Sequence, residues 1–283
     1  MRIRLTIELN NTPQYLPLNY KYPVSSWIYK VLATADKEFA HLLHENGYRT
    51  SEGKRFKLFT FSDLVVPKGH WIIKGDRMEI SAPNLNLTLS FQLPIQTEKF
   101  ISGLFLNQKF IAGDARSNVE GKVSRVELEE PPEWHDGWNL FSTRSPIFIA
   151  KTSIDHPHPQ YLEPVHEDYR HQLARNLIEK YNAFCLQTNQ QAGLINESAI
   201  DFKLISPKFK SSLQTIKANR ENETKIKAYR YQFALKAPKE LISLAYYAGF
   251  GAENAQGFGC CEWLGPLLPV NATKEHPLEN TGV

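Results

Sequence analysis

Pro238-Lys-Glu-Leu-Ile-Ser-Leu-Ala-Tyr-Tyr-Ala-Gly249-Phe-Gly-Ala-Glu-Asn-Ala-Gln-Gly-Phe-Gly-Cys260-Cys-Glu-Trp-Leu264 reads as helix, glycine turn and strand in that order. Proline opens a helix over Pro238–Ala248, a position it favours. Cys260 to Leu264 is a short apolar strand. Between them the glycines are spaced G-x-G-x5-G-x-G. A dinucleotide fingerprint follows a strand and opens a helix, and a P-loop carries Gly-Lys-Ser/Thr. Here the order is reversed and no lysine falls inside the array. This argues against a nucleotide cofactor. It points instead to a backbone-lined cradle for a polymeric phosphate, with amides from Gly249, Gly251, Gly257 and Gly259 and the side chains of Asn254 and Gln256. A glycine C-cap followed by a bulged strand is the structural alternative, and four paired glycines make it the weaker one.

Working back along the chain, this unit opens with a strand over Leu140–Lys151 and a helix from about Glu163 to Leu186. Leu173, Leu177, Ile178, Tyr181 and Phe184 fall on one helix face. Strands over Ile200–Ile205 and Ala228–Leu235 flank a lysine-rich loop. The first half repeats the order. Its strand Arg2–Asn10 is followed by a helix from about Val24 to Leu43, with Ile28, Val31, Leu32, Ala35, Phe39, Leu42 and Leu43 at three- and four-residue spacing. Strands over Phe56–Ser62, Met78–Ser81 and Leu85–Phe91, a helix over Pro94–Leu106 and a strand over Val123–Leu128 complete it. Pro131-Pro132 separates the halves. Two consecutive β-α-β-β-α-β units predict an α+β protein of two tandem ferredoxin-like domains, residues 1–131 and 132–268, in which helices cover one face of each antiparallel sheet. RRM modules use such sheets to hold RNA. A polar tail, 269–283, reads as disordered.

The 283 residues, 42% hydrophobic and 22% charged, are globular in composition. Three cysteines form neither a disulfide framework nor a zinc spacing. The N-terminus alternates as a strand does, and no apolar run approaches a membrane span. A reducing cytoplasm is the expected home, with no membrane partner. Net charge is only +3, but Lys203 to Lys239 holds eight lysines and two arginines against Glu221 and Glu223, a local +8. Such a stretch points to a polyanion.

RNA can be cut without a metal when a 2′-hydroxyl attacks the adjacent phosphorus, given proton transfer and a cation near the phosphorane. Histidine suits the proton transfer and lysine the charge. The first half offers Tyr29, His41, His44, Lys54, Arg55 and Lys57. Fifteen residues separate Tyr29 from His44, which leaves both within about 60° on one helix face. His156, His158, His166 and His171 lack a metal-ligand spacing. No metal or cofactor is expected.

These pieces resemble one family, the CRISPR-associated endoribonucleases of the Cas six type within the RAMP superfamily. Gly249-Phe-Gly-Ala-Glu-Asn-Ala-Gln-Gly-Phe-Gly259 resembles the glycine-rich signature of that family. Trp27-Ile-Tyr-Lys, Leu42-Leu-His-Glu and Phe56-Lys-Leu-Phe-Thr-Phe-Ser62 resemble its N-terminal catalytic region, and Ser142-Thr-Arg-Ser-Pro-Ile-Phe148 the first strand of its second domain. The resemblance implies a catalytic tyrosine, histidine and lysine, carried over to Tyr29, His44 and Lys57, with Lys54 or Arg55 as alternatives for the lysine. It implies metal-independent cleavage of CRISPR repeat RNA to a 2′,3′-cyclic phosphate and a 5′-hydroxyl during crRNA maturation. Lys54, Arg55, Lys208, Lys210, Lys217, Arg220, Lys225 and Lys227 would then contact RNA together with the glycine segment. Precursor crRNA is the expected partner. Other CRISPR-associated proteins and a second copy of the chain stay open as partners. A non-catalytic RNA-binding subunit of a CRISPR effector complex is the alternative reading.

Overall fold

The computed structural model describes residues 1–35, 47–93, 103–151, 159–216 and 223–267. Two antiparallel sheets with the ferredoxin-like strand order organise it. In the N-terminal sheet the neighbours run Phe59–Phe61, Asn84–Phe91, Arg2–Leu9, Asn118–Leu128 and Lys109–Gly113. In the C-terminal sheet they run Asp201–Leu204, Gln232–Lys236, Asn139–Thr143 and Cys261–Pro266. Each time the first strand lies between the third and the last. Period-two patterning explains the layers: Ile3, Leu5 and Ile7 are fully buried under the helix layer, while Arg4 and Glu8 on the other face are exposed.

Three helices among the described residues are α1 (Lys21–Ala35), α2 (Tyr169–Gln187) and α3 (Lys239–Ala248). Val24, Ile28, Val31 and Leu32 form the buried stripe of α1. Leu173, Leu177 and Phe184 form that of α2. A lysine stands in each stripe: Lys21, a turn before Val24, and Lys180, between Leu177 and Phe184. Both are buried. The expected continuation of α1 to Leu43, most of the helix over Pro94–Leu106 and the tail 269–283 lie outside the described residues.

Three expected strands prove to be broken. Phe56–Ser62 divides into Arg55–Phe56, which pairs with Tyr48–Arg49, and Phe59–Phe61, which joins the main sheet. Lys57 stands at the division. Leu140–Lys151 stops at Thr143, where Arg144 and Ser145 both donate to the Cys260 carbonyl and Pro146 has no N–H to continue a ladder. Ala228–Leu235 divides at Tyr231. Its first part belongs to a hairpin of Lys210–Ile216 and Thr224–Arg230, and its second to the main sheet. Met78–Ser81 is found as Arg77–Ile80, which forms a satellite sheet with Gln14–Pro17 and Trp71–Lys74 rather than joining the main one.

The domains are bonded to each other. Arg2 donates to the carbonyls of Cys261 (2.8 Å) and Tyr246 (3.0 Å), and its guanidinium lies 3.6 Å from the centre of the Tyr246 ring. Asp63 receives Lys21 (2.5 Å) and Arg230. Burial raises the Asp63 pKa, but these two cations outweigh it and hold the carboxyl ionised below its ordinary range.

Candidate active site

The break after Phe56 decides where Lys57 goes. With the local strand ended, its ammonium sits 5.4 Å from the centre of the Tyr29 ring. Tyr29 lies on the flank of α1 and meets Phe59 edge-on at 5.4 Å between ring centres. Burial, then the negative charge of Glu253, raise the Tyr29 pKa far above its ordinary value. The phenol therefore stays protonated at neutral pH, able to donate a hydrogen bond but not to act as a base. Two of the three expected catalytic residues thus meet, and Glu253 of the glycine segment approaches them from the other domain. His44, like His41, lies outside the described residues. Lys54 turns elsewhere: it pairs with Glu179 on α2 and stands 5.3 Å from the Phe56 ring centre. Arg55 is exposed.

The glycine segment departs from the expected cradle. Gly249, Gly251, Asn254, Gly257 and Gly259 are buried. The Gly249 amide caps α3 by donating to Ala245, Gly257 donates to Asn254, and Gly259 donates to Pro146. The Asn254 side chain donates to the carbonyls of Phe250 and Phe258, both at 3.0 Å. The Gln256 side-chain oxygen is also buried. These amides are engaged within the protein, so they do not form an open phosphate cradle. The physical reason is position: the segment is wedged between the two domains. Ser25 donates to Ala255 (2.7 Å) and Thr60 to Phe258 (2.8 Å) from the N-terminal side. From this wedge the exposed Glu253 emerges in the left-handed region, at φ 54°.

The two buried lysines hold the wedge by its carbonyls. Lys21 donates to Gly257 at 2.8 Å. Lys180 donates to Gly249 (2.7 Å), Gly251 (2.5 Å) and the Asn254 side-chain oxygen (2.7 Å), matching its three N–H donors. The sequence reading missed both. The signal that reveals them is a lysine in the apolar stripe of an otherwise buried helix face.

Burial, then the charge of Lys54, lower the Lys180 pKa from 10.5 to about 7. Between these values the unfolded chain holds a proton that the folded chain has released, so stability rises as pH increases from about 7 to about 10. Above about pH 7 the neutral amine keeps two of those donors, and Lys180→Met, which removes them, is expected to cost about 3 kcal/mol at pH 9. It also removes the pH-dependent gain, so the gap between wild type and variant in urea unfolding widens from pH 7 to pH 9. An equal gap at both pH values contradicts this.

Among the expected RNA contacts, Lys208, Lys210, Lys225 and Lys227 are exposed on or beside the hairpin. Lys217 and Arg220 lie outside the described residues. Asn19, just before α1, accepts from the Thr215 amide at 3.2 Å, which rests the hairpin against the N-terminal domain. Of the clustered histidines, His171 pairs with Glu197 and His166 faces Asp168; His156 and His158 lie outside the described residues.

Residues 15–122 match the family model for the N-terminal part of CRISPR-associated protein Cas6, and residues 128–263 match the model for its C-terminal part. The chain belongs to the Cas6 family. It is 28% identical over 263 residues to CRISPR-associated endoribonuclease Cas6 1 of Methanocaldococcus jannaschii, covering 92% of this chain and 91% of that one. A solved structure described as CRISPR associated protein Cas6 is 26% identical with a TM-score of 0.68, covering 93% of this chain and 99% of that one. A RAMP protein described as binding different RNA substrates shares the fold at a TM-score of 0.72 and 21% identity, over 93% of this chain and 99% of its own. The two ferredoxin-like domains are those of Cas6 and RAMP structures. Among the described residues no helix is long and apolar enough to cross a membrane.

Proposed function

We propose that this Cas6 protein is the endoribonuclease that matures crRNA by cutting CRISPR repeat RNA, and that it does so without a metal. The observation that carries the mechanism is the meeting of Tyr29 and Lys57 at the broken strand. His44 transfers a proton, as base to the 2′-hydroxyl or as acid to the 5′-oxygen. The 2′-oxygen forms a bond to phosphorus, the bond to the 5′-oxygen breaks, and that oxygen leaves as a hydroxyl. The protonated phenol of Tyr29 holds the ribose or phosphate at the same centre. Lys57 offsets the charge gathering on the phosphorane. The products are a 2′,3′-cyclic phosphate and a 5′-hydroxyl. The exposed lysines of the hairpin contact the RNA backbone, and its phosphates supply the salt-dependent share of affinity. Three free, buried cysteines suit a reducing cytoplasm.

The test is cleavage of the host's repeat RNA in EDTA beside the same RNA with a 2′-deoxy residue at the cut site. We expect one cut in the first and none in the second. Cutting of the deoxy RNA, or dependence on added metal, overturns the mechanism. Tight binding without cutting overturns the catalytic reading altogether.

A further inference from the structure

Five residues of the glycine segment have positive φ: Gly249 at 94°, Gly251 at 70°, Glu253 at 54°, Gly257 at 86° and Gly259 at 76°. Four are glycine, which adopts this region freely. Glu253 is the exception. Among the described residues the other non-glycine residues in this region are Asn107 and Asn189, and asparagine tolerates it. Glutamate adopts it at a cost, and such strain persists only where the surroundings impose it.

The surroundings are fixed on both sides. The Ala252 amide donates to the Phe148 carbonyl at 2.9 Å. The Asn254 side chain accepts from Lys180 and donates to the carbonyls of Phe250 and Phe258. The Glu253 carbonyl itself accepts from the Gln256 amide at 2.9 Å. Backbone bonds therefore set the direction in which the exposed Glu253 side chain leaves the wedge.

It leaves beside Tyr29. Ser25 of α1 donates to Ala255, and Tyr29 is one turn further along the same helix face. Thr60 follows Phe59, whose ring Tyr29 meets, and donates to Phe258. The segment is thus bonded to both elements that flank Tyr29. Burial first, and the charge of Glu253 second, oppose ionisation of the Tyr29 phenol. The Lys57 ammonium lies against the same ring. A carboxylate here also repels the phosphate that Lys57 would attract. Strain and repulsion are both costs, and both fall at one place.

We propose that Glu253 is a positioning residue for the cleavage, its carboxylate fixing the Tyr29 phenol and the Lys57 ammonium in the arrangement that the phosphorane needs. The inference rests on the cleavage of repeat RNA proposed above. Attraction to the carboxylate limits where the ammonium can go, and the phenol keeps its proton beside it. The glycine segment, closed to phosphate, still serves the reaction: it presents one carboxylate from the C-terminal domain to a centre built by the N-terminal domain. Glycine at this position would relieve the strain and present nothing.

The experiment compares wild type with Glu253→Gln, which keeps the shape and removes the charge, and with Glu253→Gly, which removes both side chain and strain. Three quantities are measured in EDTA: the single-turnover rate on the host's repeat RNA at saturating protein, Kd for the same RNA with a 2′-deoxy residue at the cut site, and the urea midpoint. Both variants are expected to cut at least about tenfold more slowly, the scale of a small misplacement of reacting groups. Their Kd stays within about twofold of wild type or tightens, the mark of a group that acts in the transition state. The midpoint of Glu253→Gly equals or exceeds that of wild type, since its backbone strain has gone.

A wild-type rate in either variant overturns the inference. So do parallel losses of rate and affinity, which make Glu253 an RNA contact. A lowered midpoint in Glu253→Gly overturns it too and makes the residue a support of the fold. Wild type that binds without cutting overturns the proposed function and this inference together. Wild type that cuts no faster than the variants overturns this inference alone.

Discussion

His44→Ala is expected to slow cleavage of repeat RNA by about 10³-fold while changing affinity for uncut RNA less than about twofold, since proton transfer by a positioned side chain contributes in that range. Tyr29, on α1, precedes His44 by fifteen residues. Tyr48–Arg49 then pairs with Arg55–Phe56, directly before Lys57. Single-turnover cleavage and filter binding of the same RNA separate the two quantities. Equal losses in rate and affinity would make His44 a binding residue. An unchanged rate would move the proton transfer to another group, with His41 first to be tested.

Gly259→Ala is expected to destabilise the fold by about 4 kcal/mol. Its φ of 76° strains an L side chain by about 1–2 kcal/mol. A Cβ there would also lie inside van der Waals distance of the Phe250 carbonyl oxygen, which is backbone and accepts no simple rotation. Overpacking adds about 1–3 kcal/mol. Gly69→Ala is the control, with a similar φ of 80° and open space around its Cβ. It keeps the strain without the clash and costs roughly 1–2 kcal/mol. Urea unfolding of both variants measures the difference. Equal losses would falsify the packing argument and leave only backbone strain.

These two predictions lie on different links. The first concerns a residue whose chemistry is legible in the chain, and the second a residue whose neighbours are visible only after folding. The alternation of Ile3, Leu5 and Ile7 and the stripe of Val24, Ile28 and Leu32 reveal strand and helix because each pattern has one period and one buried face. Tyr29 and Lys57 were singled out for a related reason: a tyrosine on a helix and a lysine at a strand are short-range facts, and the family resemblance suggested their roles. The glycine array was visible but misread. Spacing shows that backbone must approach something closely, and it does not say whether that is RNA or the rest of the protein. The approach is to Phe61, Thr60 and Phe148, from both domains.

The sequence by itself thus determined the tandem ferredoxin-like plan, its order along the chain and the residue types proposed for the chemistry, since local periodicity and side-chain chemistry are properties of the chain. Tertiary structure alone decided that the strands break at Lys57, after Thr143 and at Tyr231, and that Lys57 rather than Lys54 faces Tyr29. It also decided that Lys21 and Lys180 hold the glycine segment by its carbonyls. A buried lysine is stable only where its donors find acceptors, and the carbonyls of Gly257 and Gly249 that Lys21 and Lys180 reach lie 236 and 69 residues away. No local pattern reports a partner at that distance.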